Sequence, residues 1–254
     1  MILAIDMGNT NIVVGGIDST QTYFVERITT DHVKTGLEYA VNIKNILEIH
    51  SIDKALVEGA IMSSVVPPLN APISSAINKL FGFRPKLVGS GMKTGLNIIM
   101  DNPKTVGSDM IVDAVAVLKE YPLPAIVIDM GTATTMSVVD KKGNYTGGII
   151  FPGLRVSLDS LSSKAAQLPS ISLDIPKKVI GKNTIDCMRS GIMYGNAGMI
   201  DGIIERMEAE LGEKATVVAT GGLSRFVVPL CKHKIIYDEA LLMKGLWILY
   251  EKNQ

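Results

Sequence analysis

The tightest constraint on this chain is a short pattern that occurs twice. Residues 2–16 read ILAIDMGNTNIVVGG and residues 126–139 read IVIDMGTATTMSVV. Each begins with an apolar run that ends in Asp-Met-Gly and passes through small hydroxyl or amide residues into a second apolar, β-branched run. That order reads as strand, tight turn, strand. Each turn carries a carboxylate (Asp6, Asp129), a glycine (Gly8, Gly131) and hydroxyl donors (Thr10; Thr132 and Thr134). Glycine lets backbone N–H groups approach an anion closely, and the hydroxyls add donors. A carboxylate beside bare phosphate would repel it, so the combination implies a cation bridging the two. A lone Asp-x-Gly turn is common in hairpins. Two in the same strand context, half a chain apart, mark a duplicated domain rather than a short-period repeat.

The remaining residues fit two α/β halves. After the first hairpin come a third strand at Thr22–Ile28, a helix over Gly36–His50, a buried strand at Ala60–Val66, a helix over Leu69–Phe81 and a short strand at Lys86–Val88. Thr94–Pro103 is irregular and polar, either a substrate-facing loop or a plain connector. A helix opens at Val106-Gly107-Ser108-Asp109 and runs to about Tyr121, where Pro122 and Pro124 end it. The second hairpin and a third strand follow, then helices over Gly153–Lys164 and Asn183–Leu211, a strand at Ala215–Ala219, the glycine turn Thr220-Gly221-Gly222 and a last helix over Glu239–Tyr250. Four glycines inside the long helix (Gly191, Gly195, Gly198, Gly202) each cost about 1 kcal/mol relative to alanine. They imply close helix–helix contact, within the chain or at a subunit interface. The expected division is 1–118 and 119–254.

Bulk properties exclude several classes. Lys+Arg and Asp+Glu both number 25, so no global field draws nucleic acid or an acidic membrane. No apolar run reaches the roughly 18 residues of a spanning helix, and no basic residue precedes Asp6 as a targeting segment would require. Cys187 and Cys231 stand alone, which suits structural thiols in a reducing cytoplasm. Three scattered histidines argue against a zinc site.

Asp-x-Gly-Asn-Thr first, Asp-x-Gly-Thr-Ala-Thr second and a late Thr-Gly-Gly resemble the actin/sugar-kinase/Hsp70 superfamily. Within it, the string Asp6–Thr10, Val106–Asp109, Asp129–Thr135, Gly147-Gly148 with Pro152-Gly153, Gly181–Thr184 and Thr220–Gly222 is similar to the type III pantothenate kinases. The resemblance implies two duplicated ribonuclease-H-like (actin-like ATPase) domains with a nucleotide cleft between them. It implies ATP-dependent phosphorylation of pantothenate, the first step of coenzyme A synthesis. Asp6 would hold Mg2+, with Met7, Gly8, Asn9, Thr10, Asn11, Ile12 and Val13 around the ATP phosphates. Gly131, Thr132, Gly221 and Gly222 would complete the ATP site, and Asp129 would face a monovalent cation, K+ or NH4+. Asp109 would be the general base; the helix N-terminus would lower its pKa and leave it mainly to orient the hydroxyl. Gly107, Ser108, Asp109, Met110, Met100 and Thr184 would form the pantothenate site, Thr184 across a homodimer interface. Asp113, one turn on, reads as a solvated or structural carboxylate.

The departures fall at the acceptor end. The family's Gly-Ala-Asp-Arg is here Gly107-Ser108-Asp109-Met110, and its upstream tyrosine is Met100. Methionine cannot replace a charged fork donor to a carboxylate, a loss of about 2–5 kcal/mol unless Lys104 or Arg155 compensates. The late Leu241-Leu242-Met243-Lys244-Gly245 also departs from the family's Leu-Thr-Leu-x-Gly. The alternative is therefore a diverged, nucleotide-binding accessory protein with an altered acceptor site.

Overall fold

A computed structural model describes all 254 residues. In chain order the elements are β1 (Ile2–Met7), β2 (Asn11–Ile17), β3 (Thr22–Thr29), α1 (Gly36–Ile49), β4 (Gly59–Ser64), α2 (Asn70–Phe81), β5 (Lys86–Leu87), β6 (Asn97–Ile98) and α3 (Ser108–Glu120). There follow β7 (Ala125–Met130), β8 (Ala133–Val139), β9 (Asn144–Pro152), α4 (Leu154–Lys164), α5 (Thr184–Leu211), β10 (Thr216–Thr220), α6 (Ser224–Val227), β11 (Ile236–Tyr237) and α7 (Leu241–Lys252). The chain divides into two units. The first comprises Met1–Gly95, Asn102–Ala116 and Leu241–Gln254; the second comprises Leu96–Asp101 and Val117–Ala240.

The duplication is visible in topology. The first sheet has the order β3-β2-β1-β4-β5, and the second contains the same order as β9-β8-β7-β10-β11, with β6 added beyond β9. Every pairing direction repeats: β1 and β7 are antiparallel to β2 and β8 and parallel to β4 and β10. Even the register shift recurs at the seventh residue of β2 and of β8. β1 and β7 share one burial pattern along their length, and so do β2 and β8. Two different sequences thus place the same positions inside, with the runs of consecutive buried residues that strands covered on both faces show.

In the first unit, alternate residues Leu3, Ile5 and Met7 of β1 join Ile12 and Val14 of β2 under Tyr39, Ile43 and Leu47 of α1 and Ile73 and Ile77 of α2. Thr35 caps α1 with a reciprocal capping box, Thr35 and Glu38 each bonding the other's backbone. Helix α7 lies across the other face of this sheet. Gly245 lets it approach the carbonyl of Val112 in α3, where a Cβ would overlap that backbone oxygen. The terminal helix therefore belongs to the first unit, where sequence order had put it in the second half. The other boundary, expected after residue 118, falls after Ala116.

In the second unit, Ile126, Ile128 and Met130 of β7, Met136 and Val138 of β8 and Val217 and Ala219 of β10 form a core with Leu154 and Leu158 of α4 and Met188, Ile192, Met193, Ile200 and Ile204 of α5. Asn183 caps the 28-residue α5 by accepting from the Asp186 N–H, and Gly212 closes it in the left-handed conformation.

Candidate functional site

In the first unit the turn after β1 is fixed from within. The Gly8 N–H donates to Asn11 O at 3.0 Å. Thr30, just past β3, braces the turn from one side: its Oγ1 donates to Gly8 O at 2.6 Å and its N–H to Thr10 O at 3.0 Å. In a planar trans peptide the N–H points opposite to the carbonyl, so the Asn9 and Asn11 N–H groups face away from Thr30. Asn9, Thr10 and Asn11 are exposed. This is a backbone-donor turn of the kind that holds phosphate. Met7 and Ile12 are fully buried in the core, so of the residues expected around ATP these two have only backbone to offer.

Asp6 lies in register with Ser63 on the parallel neighbour β4. Register partners on adjacent strands project from the same face. Ser63 Oγ is 2.9 Å from Ser108 Oγ, the first residue of α3. The N-terminus of α3 is thus brought to the carboxyl ends of β1 and β4, on the Asp6 face, where ligands bind in open α/β sheets. Asp6, the turn through Val13, and Gly107, Ser108, Asp109 and Met110 all belong to this unit.

Asp109 corrects one expectation. The Met110 N–H does donate to its Oδ1, at 2.8 Å, and this lowers the pKa. Burial outweighs that bond, and the carboxyl is raised above the ordinary aspartate value. The helix terminus does not win here because desolvation disfavours the ionised form more than the backbone N–H bonds favour it. A raised pKa makes Asp109 a better proton acceptor than the sequence implied. Gly107 makes room for it, since a Cβ there would overlap the Asp109 carboxylate. The Ser108 hydroxyl, expected near the acceptor, is wholly engaged with β4 and leaves only its backbone to face a ligand. Asp113 is buried and not solvated.

In the second unit the turn after β7 is one residue shorter, the Gly131 N–H donating to Ala133 O at 3.0 Å. Gly153, which precedes α4, donates to Thr132 O at 3.0 Å and packs so closely that a Cβ would meet the Gly131 and Thr132 carbonyls. Asp129 is in register with Thr220 at the carboxyl end of β10. Gly221 follows with φ +89°, and a Cβ on it would stand 2.6 Å from Asp129 Oδ1 and 2.7 Å from Met130 N and O. Asp129, Gly131, Thr132 and Gly221 therefore form one group, with Gly222 the next residue of the same turn. Met100 lies elsewhere in this unit, its Sδ over Gly147 of β9. Thr184 opens α5, exposed and without a hydrogen bond from its side chain. Lys104 and Arg155 are exposed cations with no ion pair within the chain.

Residues 2–206 match the family model described as type III pantothenate kinase. The type III pantothenate kinase of Exiguobacterium sp. is 46% identical over 254 residues, covering 100% of both chains. That of Moorella thermoacetica is 44% identical over 253 residues, again covering 100% of both. This chain belongs to the type III pantothenate kinase family. Among solved structures, a conserved Baf family protein from Campylobacter jejuni matches with a TM-score of 0.61 at 17% identity, covering 99% of this chain and 98% of that one. Component A of the Acidaminococcus fermentans (R)-2-hydroxyglutaryl-CoA dehydratase matches with a TM-score of 0.55 at 17% identity, covering 98% and 96%. At that identity they bear on the fold alone, and the fold is that of the actin-like ATPases and sugar kinases. No helix is long and apolar enough to cross a membrane.

Proposed function

We propose that this chain phosphorylates pantothenate with ATP, opening coenzyme A synthesis, and that Asp109 is its base. The observation that carries the assignment is full-length identity of 42–46% to type III pantothenate kinases. The role of Asp109 is supported by its place on α3 beside the β1 and β4 strand ends and by its raised pKa. The carboxylate accepts the proton of the primary hydroxyl as that oxygen takes the γ-phosphoryl group, and ADP leaves. Phosphoryl transfer needs little covalent help from the protein, so the turn N–H groups act chiefly by orienting and stabilising the phosphates.

Asp6 suits Mg2+, which takes one or two carboxylates and completes its shell with water and phosphate oxygens. When bound, the ion would supply charge neutralisation at the phosphates. Asp129, whose carboxylate lies with the Met130 carbonyl against Gly221, offers oxygen donors of the kind K+ or NH4+ takes. Lys104, in the same unit as Asp109, and Arg155 are the two cations offered for the acceptor carboxylate in place of the family's arginine. The unpaired thiols of Cys187 and Cys231 support a reducing, cytoplasmic setting.

A homodimer built on α5 is supported by its glycines. Gly191, Gly195 and Gly198 are exposed, and a Cβ on any of them would meet nothing within 4 Å. Close packing inside the chain therefore does not explain them. With Thr184 and Gly202 they fall on one helical face, which a second copy would cover.

The test is ADP release from ATP, Mg2+ and K+ with and without pantothenate. Turnover that requires pantothenate is the expected result. ATP binding without pantothenate-dependent ADP release would make Met110 and Met100 marks of a diverged accessory protein.

A further inference from the structure

We infer that Ser108 is a positioning residue for phosphoryl transfer, its hydroxyl holding the Asp109-bearing end of α3 on strand β4. The inference rests on the kinase reading above and deepens it.

A serine hydroxyl has one hydrogen to donate and two lone pairs to accept with. All three are used here, and all by β4. The Ser64 N–H donates to Ser108 Oγ at 2.9 Å, and Ser108 Oγ donates to Ser64 O at 3.0 Å. Its one hydrogen being spent, the 2.9 Å contact with Ser63 must have Ser63 Oγ as donor. Gly107 holds the N-cap position, its carbonyl accepting from the Ile111 N–H, and the Ser108 hydroxyl bonds a strand more than 40 positions away.

That strand position matters. Ser63 is fully buried and is the register partner of Asp6, while Ser108 is covalently joined to Asp109. The latch therefore sets the carboxylate proposed to take the proton relative to the strand end that bears the carboxylate proposed for Mg2+. Gly107 and the Met110 N–H then fix where the Asp109 carboxylate lies within that frame.

The experiment is steady-state kinetics of the full-length chain and of Ser108→Ala, with melting temperatures measured alongside. A misplacement of a catalytic group by about 1 Å can cost up to ~100-fold, so kcat is expected to fall about tenfold with the KM for ATP unchanged within about twofold. Wild-type kcat in the folded variant would overturn the inference, as would a rise in the KM for ATP that accounts for the whole loss. Should Ser108→Ala not fold, Ser108→Cys keeps the volume and weakens all three bonds, and the same split between kcat and KM is required of it. Absence of pantothenate-dependent turnover in the wild type would instead remove the kinase reading itself.

Discussion

Replacing Gly221 by alanine probes the second turn at its most constrained point. The residue sits at φ +89°, where an L side chain costs about 1–2 kcal/mol. The new Cβ would also press on Asp129 Oδ1 at 2.6 Å and on Met130 N and O at 2.7 Å. Two of those three atoms are backbone of the last residue of β7, a central strand, and cannot swing aside, so overpacking adds about 1–3 kcal/mol. Against this, alanine makes the unfolded chain less flexible, a gain of about 0.4–1 kcal/mol. The net loss is then about 1–4.5 kcal/mol, obtained from those three contributions. Urea unfolding measures it, with Gly89→Ala as the reference. Gly89 has no positive φ and open space around it, so it shares the unfolded-state gain without the native-state cost. The same displacement moves Asp129 and the Met130 backbone, so the KM for ATP should rise. A Gly221→Ala protein as stable as wild type, with unchanged ATP kinetics, would refute both the close packing and the proposed place of this turn at the nucleotide.

Gly195→Ala meets no neighbour in its own chain and should stabilise an isolated subunit by about 0.5–1 kcal/mol; sedimentation should nevertheless show weaker self-association if α5 faces a second copy, and an unchanged dimer would remove that face from the interface. Asp109, with its pKa raised in the folded state, binds more protons folded than unfolded across the window between the ordinary aspartate value and the raised one. Its contribution to stability therefore falls as pH rises through that window, so Asp109→Asn should melt no lower than wild type at neutral pH.

The sequence carried most of the framework because the framework follows from strand alternation and turn chemistry. Both hairpins, the helix opening at Ser108 and the long helix α5 are legible from apolar spacing, prolines and caps. What escaped was non-local. Strand β6 is two residues long and exists only by pairing with β9 at Asn144 and Tyr145, so no periodicity could announce it. Helix α7 returns to the first unit through the Gly245–Val112 contact, which sequence order hides. The Ser108 latch left one trace, the polar Ser63-Ser64 interrupting an otherwise apolar buried strand, but nothing there names the partner. The sign of the Asp109 shift is hidden from the sequence for the same reason. The helix terminus is visible in the sequence, whereas the burial that outweighs it depends on packing.

The central claim is that one carboxylate on α3 takes the proton from the acceptor hydroxyl. Pantothenate-dependent ADP release by Asp109→Asn against wild type, at saturating ATP, Mg2+ and K+, tests it most directly. General-base assistance contributes about 100-fold or more, so kcat should fall by at least that factor in a protein that remains folded. Equal turnover in the two proteins would contradict the account.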